Sequence, residues 1–208
     1  MSIRVTAGLA RGRQLLIPKT DLRPTTDKVK QAMFSMLEAE ALRRDFEGDE
    51  DHFAAMQAWP RVLDLYAGSG ALGIEAISRG AERATFIERD RFAAETIQRN
   101  LENTGLAACA DMRRASVEKA LSTLTGPYDL ILLDPPYQEY TAAMKTLEQI
   151  QSRKLLANGG LVVWEHMVTP VALALPNGLR SVRRRDHGST SVSLLEHESS
   201  DQQGEHDR

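Results

Sequence analysis

Two consecutive prolines, Pro135 and Pro136, close the apolar run from Tyr128 to Leu133, and Gly126-Pro127 opens it. A run so short and so bounded reads as a buried parallel strand, because no helix continues through two prolines. From Pro60 onward the chain repeats strand and helix in alternation. Strands are expected at 61–66, 84–88, 111–114, 128–134 and 161–165, with helices at 71–79, 91–103, 117–124 and 140–156, the last stopped by Gly159-Gly160. Such alternation implies a parallel sheet with helices on both faces. Segments 179–185 and 189–195 follow with no helix between them, so the expectation is a mostly parallel seven-stranded sheet with an antiparallel last strand. Ahead of this body, 3–7 and 14–17 read as a small N-terminal β-hairpin with arginines in its turn. Thr25, Thr26 or Asp27 would then cap a helix carrying Val29, Met33, Phe34, Met36 and Leu37.

With 208 residues the chain is long enough for one full core and a small appendage. The expected division is 1–20 as the hairpin extension, 21–196 as the main domain and 197–208 as a disordered acidic tail. No apolar run approaches the roughly 18 residues of a membrane span, and the first twenty residues are too charged for a signal peptide. A cytoplasmic protein is expected. Cys109, alone, forms no internal disulfide and reads as a small buried or half-buried side chain. The net charge of −3 hides an uneven distribution. Residues 1–44 hold nine Lys/Arg against four acids, whereas Asp45, Glu47, Asp49, Glu50 and Asp51 form an acidic insert. A clustered basic face suits a phosphate backbone, with Arg4, Arg11, Arg13 and Arg23 as candidates; most charge runs are nonetheless plain solvated surface.

Two motifs carry chemistry. Asp134-Pro135-Pro136-Tyr137 offers two hydrogen-bond acceptors, the Asp134 carboxylate and the Pro135 carbonyl, beside one aromatic face. A planar group bearing an NH2, a nucleobase, matches that set. The second motif runs from Val62 to Gly73, where Gly68, Gly70 and Gly73 have the G-x-G-x-x-G spacing of dinucleotide sites. Asp64, however, stands four residues ahead of Gly68, where an anion would repel a pyrophosphate and attract a cationic amine or sulfonium. Glu88, about twenty residues past the glycines, is placed to hold a ribose diol. A ligand with a ribose and a positive charge describes S-adenosylmethionine.

On these residues, together with Arg23 to Leu37 and Trp164-Glu165-His166, the chain resembles the RsmD family of class I S-adenosylmethionine-dependent methyltransferases. The resemblance spans Ile3 to about Leu195 and implies a Rossmann-like fold and methylation of the exocyclic amine of one guanine in 16S ribosomal RNA. It further implies cofactor contacts at Asp64, Tyr66, Gly68, Ser69, Gly70, Glu88 and Asp134. Ser116 stands where many relatives place the Asp or Asn that receives the adenine amine.

In the mechanism these readings suggest, Asp134 and the Pro135 carbonyl bind the two amine hydrogens and aim the nitrogen lone pair at the methyl group, while Tyr137 stacks on an unstacked base. Arg23, Thr25 and Thr26 wall the pocket or merely start a helix, and His166 reads as structural. The expected partner is 16S rRNA within an assembled or partly assembled small subunit, met by a monomer without metal. A DNA or other RNA amino-methyltransferase is the nearest rival reading. A nicotinamide-dependent oxidoreductase would explain the glycines without Asp134 to Tyr137, and a non-catalytic assembly factor the basic terminus without the glycine loop.

Overall fold

The computed structural model describes residues 3–18, 26–44, 55–136, 140–170 and 173–198. Strands β1 (Ile3–Arg4) and β2 (Gln14–Leu15) pair antiparallel, Ile3 against Leu15 and Arg4 against Gln14. They are shorter than the expected 3–7 and 14–17 because helix side chains take over the backbone groups beyond them. The amides of Thr6 and Ala7 donate to the Glu75 carboxylate at 2.9 and 3.1 Å, and that of Leu16 to Asn100 Oδ1 at 2.7 Å. Helix α1 (Asp27–Arg43) is capped by Thr26, whose Oγ1 accepts from Val29 N at 3.4 Å, one of the three expected caps. The acidic insert lies outside the described residues, and Ala55–Ala58 forms a 3-10 turn.

The body continues as β3 (Arg61–Leu65), α2 (Ala71–Ser78), β4 (Arg83–Glu88), α3 (Arg91–Thr104), β5 (Ala110–Arg114), α4 (Val117–Thr123), β6 (Tyr128–Leu133), α5 (Tyr140–Ser152), β7 (Leu156–Met167), β8 (Leu179–His187) and β9 (Thr190–His197). The sheet order is β5-β4-β3-β6-β7-β9-β8. All pairs from β5 to β7 are parallel, and β9 runs antiparallel to both β7 and β8, as expected of the last strand. The central strands are buried on both faces, which is why they read as continuous apolar runs. Val62, Phe86, Leu130, Leu132 and Val163 pack with Met33, Phe34 and Leu37 of α1 and with Ile97 of α3. On the opposite face Leu63, Leu65, Ile131, Leu133 and Trp164 pack with Leu121, Leu147 and Ile150 of α4 and α5.

Two expectations need correction. Helix α5 ends at Ser152 rather than 156, since Lys154 adopts a left-handed φ of 53° and Leu155 N turns back to Ile150 O at 3.0 Å. Gly159 and Gly160 instead lie inside β7, where the pairing slips between Tyr128 and Leu130 and a Cβ on Gly160 would lie 2.9 Å from Asp129 O. Nor does the ordered chain stop at Glu196: His197 belongs to β9, and Glu198 N donates to Gly178 O at 3.0 Å. The rest of the acidic tail lies outside the described residues. Cys109 is half-buried, and no described helix is long and apolar enough to cross a membrane.

Candidate active site

From β3 the chain moves outward through β4 and β5, then returns across β3 to continue at β6, so the order reverses between β3 and β6. In an open α/β sheet that reversal leaves a crevice beyond the carboxyl ends of the two strands, where ligands bind. Leu65 and Leu133 are paired there, and the glycine loop and Asp134-Pro135-Pro136 come directly after them. The two sequence motifs thus meet at one place.

The loop is held in an unusual backbone shape. Tyr66, Gly68 and Gly70 all have left-handed φ, at 60°, 55° and 77°. For Tyr66 this is strained, and its hydroxyl is tied to Thr146 Oγ1 of α5 at 3.1 Å. Three side chains anchor the loop from Gly68 to Gly73. Glu88 accepts from Gly68 N and Asp90 N, both at 2.8 Å; Asn100 Nδ2 donates to Ser69 O at 2.9 Å; Asp64 Oδ2 accepts from Gly73 N at 2.9 Å. Gly73 itself lets α2 ride on β4, since a Cβ there would stand 2.4 Å from the Phe86 ring. Asp64 is 1% exposed, and burial pushes its carboxyl up to about 7, the nearby Glu88 adding to the rise and the Gly73 N–H opposing it. It underpins the loop from below rather than lying open beside a ligand.

At the end of β6 Asp134 is half-buried and Pro135 buried; Tyr137 lies outside the described residues. Beside them, on β7, Trp164 is fully buried, with the Tyr140 ring at 5.8 Å and the His166 ring at 4.7 Å. The His166 Nδ1 lies 2.8 Å from the Met167 carbonyl, which only accepts, so Nδ1 carries the proton and Nε2 accepts from Ser193 Oγ at 2.9 Å. Burial lowers its pKa and keeps it neutral, consistent with a structural role. Ser116 comes just after β5, where Ala115 N donates to the Glu88 carbonyl at 3.0 Å and so holds the segment beside the end of β4. The Ser116 hydroxyl caps α4, its Oγ accepting from Lys119 N at 3.3 Å.

Arg4, Arg11 and Arg13 are exposed as expected, but the hairpin turn is docked at the far end of α2 from the glycine loop, with Leu9 N on Ser78 O at 2.8 Å. Arg23 and Thr25 lie outside the described residues, and Thr26 is the α1 cap. The basic N-terminus is also less available than its composition suggests. Lys30 is buried against Glu75 at 3.2 Å and Arg4 O at 2.6 Å, and Arg43 and Arg44 both grip Glu40. Sequence reasoning does not single out Asn100, Thr146 or, as a neighbour of the site, Trp164. Asn100 alone leaves a signal, a polar residue one turn beyond Ile97 on the apolar face of α3. Among the described residues no cluster of three His, Cys, Asp or Glu could hold a metal ion.

Residues 3–196 match the family model described as Conserved hypothetical protein 95. The chain is 31% identical over 206 residues to ribosomal RNA small subunit methyltransferase D of Escherichia coli (strain K12), covering 99% of this chain and 93% of that one. It is 36% identical over 198 residues to YlbH of Bacillus subtilis (strain 168), covering 92% and 97%. Among solved structures, Escherichia coli yhhF superposes with a TM-score of 0.75 at 30% identity, covering 96% of this chain and 99% of that one. An RNA methyltransferase of Salinibacter ruber, solved with S-adenosyl-L-homocysteine, shares the fold at a TM-score of 0.57 and 18% identity, covering 83% and 92%. Matched by the family model across nearly its whole length, and aligned with relatives almost end to end, the chain belongs to the Conserved hypothetical protein 95 family, the RsmD family of class I methyltransferases.

Proposed function

We propose that this protein transfers a methyl group from S-adenosylmethionine to the exocyclic amine of a guanine in 16S rRNA. Membership of the family supports an S-adenosylmethionine-dependent rRNA methyltransferase. The finer reading, a guanine amine, rests on Asp134-Pro135-Pro136 at the end of β6, directly across from the glycine loop.

The observation that carries the cofactor is the charge around the loop. Asp64 and Glu88 are both buried, and their hydrogen bonds among the described residues come from backbone amides alone. A pyrophosphate brought to this loop would meet the Glu88 carboxylate, with the raised carboxyl of Asp64 adding charge only as pH passes about 7, whereas a cationic ligand is not repelled. The acceptor set therefore fits S-adenosylmethionine better than a nicotinamide dinucleotide. Glu88, Gly68, Ser69, Gly70 and Tyr66 are the residues assigned to hold it, with Ser116 at the edge. When bound, the cofactor supplies an electrophilic methyl group on its sulfonium.

The remaining work belongs to this chain's own groups. The amine lone pair of guanine is delocalised into the ring and reacts poorly until its hydrogens are held. The Asp134 carboxylate and the Pro135 carbonyl accept those hydrogens and turn the nitrogen toward the crevice. Asp134 is also the group able to take the proton that nitrogen must lose. Tyr137 is assigned the stacking face for the splayed base. The substrate context is an assembled or partly assembled small subunit, met by a monomer.

Nucleoside mass mapping tests this reading. Small subunits from a strain lacking the corresponding enzyme, incubated with the protein and labelled S-adenosylmethionine, should gain one monomethylated guanine in 16S rRNA. Label on adenine, or in no nucleoside, would overturn it.

A further inference from the structure

Asn100 is fully buried in α3, where a helix interior ordinarily disfavours asparagine. All of its side-chain hydrogen bonds go to two places outside its own helix. Oδ1 accepts from Leu16 N at 2.7 Å, and Nδ2 donates to Leu16 O at 3.0 Å and to Ser69 O at 2.9 Å. The amide orientation is unambiguous, because flipping it would set Oδ1 against two carbonyl oxygens and the NH2 against an N–H. Leu16 is the first residue past β2, at the exit of the hairpin; Ser69 lies between the two left-handed glycines of the loop. Of the loop's three side-chain anchors, Glu88 and Asp64 bond only within the segment from β3 to the start of α3, whereas the third is shared with the N-terminal extension.

We infer that Asn100 is a positioning residue that makes cofactor binding at the glycine loop and docking of the N-terminal hairpin mutually dependent. The inference rests on the cofactor site proposed above. One side-chain amide cannot hold Ser69 O in place unless Leu16 holds it in turn, since each donor and acceptor is committed at once. A ligand that orders Gly68 to Gly70 therefore tightens the hairpin, and anything that seats the hairpin tightens the loop by the same factor. In catalytic terms, the loaded enzyme presents a better ordered hairpin to its RNA than the empty one does. A second route exists through α2, because Glu75 and Ser78 also grip the hairpin and α2 begins where the loop ends. The experiment must separate the two.

Hydrogen exchange on the unmodified protein supplies the arm that needs no mutation. Saturating S-adenosylhomocysteine should slow exchange at the Leu16 amide about 10-fold, within the usual range of site-to-site coupling. A double-mutant cycle supplies the second arm. Gly8→Ala disturbs the hairpin at its turn, where φ is +79° and the new Cβ would lie 1.7 Å from Ser78 O. Calorimetry should show Gly8→Ala weakening S-adenosylhomocysteine several-fold in the unmodified background and not at all in the Asn100→Leu background. Circular dichroism melts establish that each variant is folded, and the exchange arm stands by itself if one is not. Equal weakening in both backgrounds would put the coupling in α2 and overturn the inference. So would a Leu16 amide indifferent to bound S-adenosylhomocysteine. Failure of the unmodified protein to bind that ligand would instead overturn the proposed function, and the inference with it.

Discussion

Asp64→Asn should change how stability depends on pH, in a direction set by the burial of this one carboxyl. In the folded chain the group titrates at about 7 rather than at the ordinary 3.8, with complete burial the first cause. Between those values the unfolded chain has released the proton and the folded chain still holds it. Rising pH therefore favours unfolding by ~1.4 kcal/mol per pH unit, a contribution fully present below the lower value and lost by the upper one. Asparagine keeps an oxygen for the Gly73 amide, bonded at 2.9 Å in the unmodified chain, and does not titrate. Urea unfolding of both proteins at pH 5, 6, 7 and 8 gives the difference directly. Taking the difference removes the opposite slopes from Glu40, Glu75 and Asp186, whose carboxyls are held below their ordinary range in both proteins. The variant should gain about 2 to 3 kcal/mol relative to the unmodified protein between pH 5 and pH 7, then hold level above about pH 8. Parallel stability curves across that range would refute the claim that Asp64 stays protonated beneath the loop.

The remaining predictions concern turnover, packing and salt. Asp134→Ala should lower kcat about 100-fold or more, the scale set by lost alignment, while calorimetry finds S-adenosylmethionine affinity nearly unchanged; near-normal turnover would remove Asp134 from the acceptor site. Tyr66→Phe should cost about 0.5 to 1.5 kcal/mol in a thermal melt by breaking the bond to Thr146, and Thr146→Val should then add little in the Tyr66→Phe background. The triple variant Arg4→Ala, Arg11→Ala, Arg13→Ala should reduce the slope of log affinity for RNA against log salt by about 2, at about 0.7 per phosphate contact. An unchanged slope would take the hairpin out of the RNA contact.

The alternation from Pro60 to Glu165 is legible in the sequence because parallel strands are buried on both faces, and Val62 to Leu65 or Leu130 to Leu133 admit no other reading. Also legible are the glycine spacing and the prolines after Asp134, which are constraints on the backbone itself. The features that escape depend on contacts between segments distant in sequence. Nothing local distinguishes a glycine pair that stops a helix from one that bulges a strand, so Gly159-Gly160 reads as a helix stop and belongs to β7. The hairpin strands look longer than they are because their outer amides bond to Glu75 and Asn100, 69 and 84 residues away. Trp164 and Thr146 stand at ordinary spacing for a strand and a helix, and only the sheet order brings them against the site.

Charge is the feature most altered by folding. Counting residues 1–44 gives nine basic side chains, and if each neutralised a phosphate the salt slope on single-stranded RNA would be about 6. Folding withdraws Lys30 altogether, since its 0% exposed ammonium closes a network with Glu75, Arg79 and Thr6 that fastens the hairpin to α2. Arg43 and Arg44 go to Glu40, and Arg44 reaches on to Glu196 of β9, binding the end of α1 to the antiparallel part of the sheet. Lys30 and Arg44 are bound to buried or half-buried carboxylates, so removing them would act on stability before it acted on RNA. Arg11 and Arg13 remain exposed on the hairpin, and Arg4 is held loosely to Asp27 at 3.8 Å. A hairpin fastened by an internal lysine can carry arginines outward on a rigid base, and its three arginines, not all nine basic side chains, set the slope change near ~2 expected of the triple variant.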